Sequence, residues 1–264
     1  MSANHLERLV NASLEQMAAR AARAPLAQVR AQALDREPPR GFLSALEAAK
    51  KRGDNPIIAE VKRASPSRGA IAKDLDPARL ARAYEKGGAA CMSVLTEKAS
   101  FGGSLEDLVE ARAACALPVI RKDFLVTPYQ IWEARAYGAD AVLLIAAALE
   151  LPVLVELRGL ARELHLDVLF EVHSESELEP ARTVRPDLLG INARDLKTLL
   201  VDADAFSRLL PWARGIAPLV AESGVRTPAD ARRYRKEGAD ALLVGEALSS
   251  AADPEAATRG LVRA

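Results

Sequence analysis

Tyr137-Gly138-Ala139-Asp140-Ala141 returns almost letter for letter as Glu237-Gly238-Ala239-Asp240-Ala241, and stands earlier in looser form as Lys86-Gly87-Gly88-Ala89-Ala90. Each copy closes a helix-like stretch (Pro128–Tyr137, Pro228–Glu237, Pro77–Lys86) and opens a short apolar run (Ala139–Ile145, Ala239–Val244, Ala89–Leu95). Glycine just past a helix end is the residue that takes the left-handed C-cap conformation without steric cost, so these joints predict immediate helix-to-strand turns. Working outward, apolar runs of strand length stand at Pro56–Val61, Leu117–Ile120, Asp167–Val172, Leu188–Ile191 and Ala217–Ala221, and Leu105–Ala114 is a further helical segment between two of the runs. Eight strands alternating strictly with helices, roughly 20 to 35 residues apart, predict a single (β/α)8 TIM barrel, a fold of about 250 residues. A doubly wound open sheet is the weaker α/β arrangement, because no early G-x-G-x-x-G opens the chain and eight regular units exceed its plan. The expected organisation is one domain over 1–264. Residues 1–48, rich in Ala, Leu, Glu and Arg and broken at Pro25 and Pro38-Pro39, form an N-terminal helical extension at one end of a barrel covering 56–255.

A hydrophobic fraction of 50% supports one large core, and aromatics at 4% make that core aliphatic. The formal net charge of +0 argues against a nucleic-acid-binding surface while leaving room for a local basic pocket. Two cysteines, Cys91 and Cys115, build no disulfide framework and no CxxC pair, and Cys91, inside an apolar run, reads as a buried thiol. The first residues, Met1 to Arg8, mix acidic and basic groups with no apolar signal core. The longest apolar candidate for a membrane span, Ala139 to Leu157, is interrupted by Asp140, Glu150 and Glu156. The expectation is a cytoplasmic protein with no membrane and no nucleic-acid partner. Arginine outnumbers lysine and amides are scarce, which fits a thermophile or a GC-rich genome equally.

In this fold the active site lies at the C-terminal ends of the strands. Glu60 and Lys62 follow Pro56-Ile57-Ile58, and residues two apart on a strand share a face. A carboxylate and an ammonium aimed together at the end of an apolar strand are costly to bury without purpose. Ser65-Pro66-Ser67 then breaks the strand, since proline gives no ladder donor. Lys122 shares a face with Ile120 on the third strand, Glu171 closes the fifth, Asn192 and then Arg194 the sixth, and Glu222 the seventh. Lysines, glutamates and an asparagine thus converge on one mouth. Ser223-Gly224-Val225 and Val244-Gly245-Glu246-Ala247 put glycine before a helix at the two strands where such barrels hold phosphate, so Gly224, Gly245 and Glu246 are the expected phosphate cradle. His173, two residues beyond Glu171, reads as a structural or rim residue, and His5 and His165 lie outside the strand ends. No His, Cys and carboxylate cluster has metal-ligand spacing, and no serine sits in a nucleophile elbow.

These motifs are similar to those of the indole-3-glycerol phosphate synthase family. The resemblance rests on Ile58-Ala59-Glu60-Val61-Lys62-Arg63-Ala64-Ser65-Pro66-Ser67, Arg121-Lys122-Asp123-Phe124, Phe170-Glu171-Val172-His173, Gly190-Ile191-Asn192-Ala193-Arg194-Asp195-Leu196, Ala221-Glu222-Ser223-Gly224 and Leu243-Val244-Gly245-Glu246. It covers about residues 1–255, helical extension included. It implies a substrate, 1-(2-carboxyphenylamino)-1-deoxyribulose 5-phosphate, which is cyclised, decarboxylated and dehydrated in tryptophan biosynthesis without a cofactor and without an obligate protein partner. It further implies that Lys122 and Lys62 are the acids of ring closure and dehydration in an order left open. Burial and a second cation are expected to lower the pKa of such a lysine toward neutrality. Glu171 is the implied acid/base partner that takes the ring proton, Glu60 holds the lysines, and Glu222 completes the shell. Asn192 is assigned to a substrate hydroxyl and Arg194 to the carboxylate. Ser65, Ser223 and Phe124 bind substrate, with Phe124 packed on the anthranilate ring. One departure is visible: Ala146–Leu157 is more apolar than the acidic helix expected there.

The rival readings are another phosphate-binding barrel isomerase or epimerase, which favours an Asp or Cys pair at its strand ends, and a non-catalytic barrel that only binds a phosphorylated metabolite. The paired lysines speak against the first and the crowd of glutamates against the second.

Overall fold

The apolar runs become the staves of a closed barrel. The computed structural model describes residues 4–72 and 74–264; the helical start expected at residues 1–3 lies outside them. The strands are β1 (Ile57–Val61), β2 (Cys91–Leu95), β3 (Val119–Lys122), β4 (Ala141–Ile145), β5 (Asp167–Val172), β6 (Leu188–Asn192), β7 (Leu219–Glu222) and β8 (Ala241–Val244). All neighbours pair in parallel, and β1 pairs with β8 to close the ring. A small hairpin, Ala64–Ser65 against Gly69–Ala70, follows β1 at the mouth.

The strands at the repeated joints begin two residues later than the apolar runs, and the reason lies in the repeat itself. Ala139 and Ala239 stay in the turn, their N–H groups returning to Ala134 O and Tyr234 O at 2.9 Å. Asp140 and Asp240 then clamp the neighbouring strand: each donates its N–H to, and accepts with its carboxylate from, the first residue of that strand, Val119 and Leu219, all at 2.8 Å. Asp187 accepts from Val168 in the same way. The aspartates therefore satisfy strand-entry donors that would otherwise be orphaned. At the other end β3, β6 and β7 run past the last apolar residue to include Lys122, Asn192 and Glu222, because the ladder needs only backbone.

Alternation divides the core in two. Ile58, Cys91, Ile120, Leu143, Leu169 and Val220 fill the barrel, while Ile57, Met92, Val119, Val142, Phe170 and Leu242 face the surrounding helices. Cys91 is buried, its thiol pushed up by burial and donating to Phe42 O.

The extension does not sit at one end. Helix α1 (His5–Ala21) borders the mouth, where Leu9 lines the central cavity and Ser13 donates to Asp123 and Phe124 O just beyond β3. Helix α2 (Leu26–Leu34) descends the flank against the helix Pro128–Ala136. Helix α3 (Phe42–Lys51) plugs the opposite end with Phe42 and Leu46. The proline breaks let one short segment span the barrel's height and cover apolar surface at both ends. The apolar stretch after β4 forms a 3-10 turn, Ala146–Ala148, and a helix, Leu151–Glu163. That helix buries Leu154 and Leu157 but leaves Leu151 and Val155 exposed, so the apolar excess does not add to the core. No helix among the described residues is long and apolar enough to cross a membrane.

Candidate active site

Inward positions at the ends of the odd-numbered strands form one layer of four side chains, the layering expected of this barrel. They are Glu60, Lys122, Glu171 and Glu222, and all of them line a cavity of about 290 Å3. Lys122 Nζ stands 2.9 Å from Glu171 Oε2 and 3.3 Å from Glu222 Oε2. Glu60 Oε1 holds Lys62 Nζ at 2.9 Å, and its other oxygen accepts from Ser93 Oγ at 3.0 Å. The shared face of Glu60 and Lys62, read from their spacing, is thus an ion pair. Lys62 is the more open of the two lysines and lies 5.9 Å from the centre of the Phe101 ring.

The electrostatics differ from the sequence expectation in one respect. Burial alone would drive the Lys122 proton off, but the charges of Glu171, Glu222 and Glu60 outweigh it and hold the ammonium above the ordinary lysine range. The neighbours of Lys122 that decide its charge are carboxylates rather than a second cation, so the expected shift toward neutrality is reversed. Burial pushes both of its carboxylate partners up. Lys122, followed by His173, pulls Glu171 below the ordinary carboxylate range. In Glu222 burial and the neighbouring Glu171 charge outweigh Lys122, and its pKa is pushed up to about 8. The two carboxyls flanking the ammonium are thus pushed apart in proton affinity, Glu171 down and Glu222 up, and titrate as a pair.

The remaining expected residues line the same cavity. Asn192 Oδ1 accepts from Ser223 Oγ at 2.8 Å and from the N–H of Arg194 at 3.0 Å, so its amide N–H groups are what it offers a ligand. Arg194 gives part of its guanidinium to Leu199 O within its own loop and shares the rim with the charges of Arg226 and Arg68. Phe124, with Phe101 at a centroid distance of 6.3 Å, joins Leu9, Leu143 and Ile145 in an apolar wall. Ser65 lines the mouth beside Pro66 and Ser67.

The two cradle glycines do different work. Ser223 and Gly224 are both in the left-handed region, at φ 65° and 80°, which turns the backbone after β7 toward the cavity. Gly245 has an ordinary φ of −107°. Its need is space, because a Cβ there would stand 2.3 Å from Glu60 Oε1. Glu246 directs its carboxylate to Arg68 at 3.1 Å, so the group it adds to the cradle is its backbone N–H. Gly190 meets the same demand, since a Cβ there would stand 2.0 Å from Glu222 Oε1. No local signal marks either close approach, since both are set across the barrel.

Ser93 and Arg121 escaped the sequence reading, and His173 stands closer to the site than a rim residue. Ser93, buried on β2, anchors Glu60. Arg121, adjacent to Lys122 but facing outward, is fully buried and engages Thr96, Gln130 O, Glu133 and Asp123. His173 lies 3.3 Å from Glu171 Oε1 and 3.2 Å from Glu177 Oε2, and these carboxylates outweigh its burial to raise it to about 10. A residue-type rule for strand ends does not reach a serine in mid-strand or a side chain of the opposite parity. Among the described residues no group of three or more His, Cys, Asp or Glu is placed to hold a metal ion.

The family model described as indole-3-glycerol phosphate synthase matches residues 6–261. Indole-3-glycerol phosphate synthase of Mycolicibacterium vanbaalenii is 50% identical over 263 residues, covering 100% of this chain and 95% of the relative. Indole-3-glycerol phosphate synthase 1 of Streptomyces coelicolor is 49% identical over 260 residues, covering 98% and 95%. Among solved structures, 3-hexulose-6-phosphate synthase superposes with a TM-score of 0.62 at 17% identity, covering 78% of this chain and 97% of that one. The N-acetylmannosamine-6-phosphate 2-epimerase of Clostridium perfringens gives 0.57 at 16%, covering 74% and 88%. At that identity the structural matches speak for the barrel alone.

Proposed function

Because the chain belongs to the indole-3-glycerol phosphate synthase family, we propose how its barrel mouth divides that family's reaction among its residues. The enzyme is a carboxy-lyase of tryptophan biosynthesis: it closes the ring of 1-(2-carboxyphenylamino)-1-deoxyribulose 5-phosphate and releases carbon dioxide and water to give indole-3-glycerol phosphate. The observation that carries the assignment of roles is the position of Lys122, whose Nζ stands 2.9 Å from Glu171 Oε2 and 3.3 Å from Glu222 Oε2 inside the cavity.

In ring closure the aromatic carbon bearing the carboxylate attacks the ketone, and negative charge develops on the ketone oxygen. Lys122, held charged by its carboxylates, is the donor for that oxygen. Its raised affinity for the proton suits a strongly basic alkoxide and little else. Loss of carbon dioxide follows, and the hydroxyl then leaves as water. Lys62 donates to that hydroxyl, since it stands at the open side of the cavity and is replenished from solvent there. As the hydroxyl leaves, Glu171 takes a proton from the adjacent carbon of the new five-membered ring, which completes the aromatic indole. Glu60, fixed by Ser93, keeps Lys62 in place. Asn192 binds a substrate hydroxyl, Arg194 the carboxylate, and the apolar wall around Phe124 the anthranilate ring. The Ser223-Gly224 turn and the Gly245-Glu246 backbone bind the phosphate. This reading uses no cofactor, nucleic acid or membrane and no obligate protein partner, and we place the enzyme in the cytoplasm.

Indole fluorescence that develops from the carboxyphenylamino substrate tests the activity, and wild-type protein that stays dark would sink it. Glu171→Gln tests the assignment of roles. Turnover is expected to fall by about 10²–10⁴-fold, the range of a general base, with phosphate-ligand affinity retained. Near-normal turnover removes Glu171 from the chemistry.

A further inference from the structure

A second cleft of about 550 Å3 opens behind Glu171, between the end of β5 and the loop after β6, with His173, Ser174 and Glu177 on its wall. Asn192, Leu196 and Val201 are common to both clefts, whereas Glu171 lines only the substrate cavity and His173 and Glu177 only the rear one. His173 therefore bridges the two. Its Nε2 stands 3.3 Å from Glu171 Oε1, and its Nδ1 stands 3.2 Å from Glu177 Oε2. Glu177 is fixed in turn: the same oxygen accepts the backbone N–H of His173 at 2.8 Å, and its other oxygen accepts from Ser174 Oγ at 3.0 Å.

Two buried atoms matter most here. Glu171 Oε1 and His173 Nε2 each lack an aligned hydrogen bond, and each faces the other. A buried polar atom left unmatched is costly, and a small rotation of the imidazole matches both at once. The other charges on the rear cleft are Asp195, Lys197, Asp202 and Arg208, of which Asp202 and Arg208 pair with each other at 2.8 Å. The direct neighbours of the ring are thus two carboxylates, which favours the doubly protonated imidazolium.

We infer that His173 is a positioning residue for Glu171: clamped by Glu177 from the rear cleft, its cation holds the outer oxygen of the base and keeps that carboxylate ionised while Lys122 holds the inner one. The inference rests on the assignment of Glu171 as the base. It distinguishes Glu171, which meets a basic group at each oxygen, from Glu222, which meets Lys122 at one oxygen and has no hydrogen bond at the other.

The test is the pH dependence of single-turnover indole formation in His173→Gln, His173→Lys and Glu177→Gln. In His173→Gln the acid limb is expected to move up by about one pH unit, with the rate at low pH down about tenfold and KM little changed. Glu177→Gln moves the limb the same way but less. His173→Lys, which restores a cation, recovers much of the shift, an outcome a merely structural histidine would not give. An acid limb that stays in place in both His173→Gln and Glu177→Gln overturns the inference, as does an equal shift in His173→Gln and His173→Lys. Glu177→Gln carries the test by itself if His173→Gln fails to fold. Glu171→Gln is the control: an active control overturns the role of Glu171, whereas an inactive control with an unmoved limb overturns only that of His173.

Discussion

Arg121 and Lys122 are neighbouring cations on one strand, the first fully buried and the second half-buried, and they face opposite sides of it. Toward the helices, Arg121 spends its donors on Thr96, Gln130 O, Glu133 and Asp123, while Asp123 also accepts from Ser13 and Glu133 from Arg20, both of α1. Toward the barrel axis, Lys122 touches Glu171 and Glu222, and each of those carboxyls keeps one buried oxygen with no hydrogen bond. The first network is complete and the second is not. A completed buried network fixes structure, in this case the seat of α1 on β3. An incomplete one retains hydrogen-bonding capacity that a substrate can use.

The largest expected effect on folding breaks the completed side. Arg121→Met leaves Asp123 and Glu133 buried without their shared cation and is expected to cost about 3–5 kcal/mol, read as a lower urea midpoint. A wild-type midpoint would show that the outer network is not structural. On the inner side Lys122→Met is expected to lower single-turnover indole formation by about 10³-fold, the scale of a lost oxyanion donor. Its urea midpoint is expected to fall less than that of Arg121→Met, since Glu222 is already neutral. If the two variants exchange these signatures, the contrast is wrong.

The smallest effect is a pH dependence. Glu222 is raised in the folded state from 4.5 to about 8, so the fold binds a proton that the unfolded chain has lost. That contribution to stability is fully present below about pH 4.5 and is lost progressively as the pH climbs through 8. Glu222→Gln, which mimics the protonated form, is expected to gain on wild type in urea midpoint across that window and to match it in acid. A constant difference between the two would place the shared proton elsewhere.

Much of the site was legible because strand periodicity is local. Ile58, Glu60 and Lys62, or Ile120 and Lys122, declare a common face by their spacing alone, and the barrel's rule that chemistry sits at strand ends then selects them. The same rule passed over Ser93 in mid-strand and Arg121 of opposite parity. It also read Gly245 for a phosphate cradle alone, without the close approach of Glu60 that leaves no room for a Cβ there. The extension was legible as helix, but its course from mouth to flank to base depends on which apolar surfaces the finished barrel leaves uncovered.

The sequence by itself determined the alternation of helix and strand, the inward face of each strand and the residue types at the mouth, all properties of neighbours along the chain. Only the tertiary structure decided which charges meet. Glu60, Lys122, Glu171 and Glu222 come from four strands far apart in the chain, yet they share one buried layer, where a few ångströms and the exclusion of water set which group keeps its proton. The upward shifts of Lys122 and Glu222 are consequences of that closure.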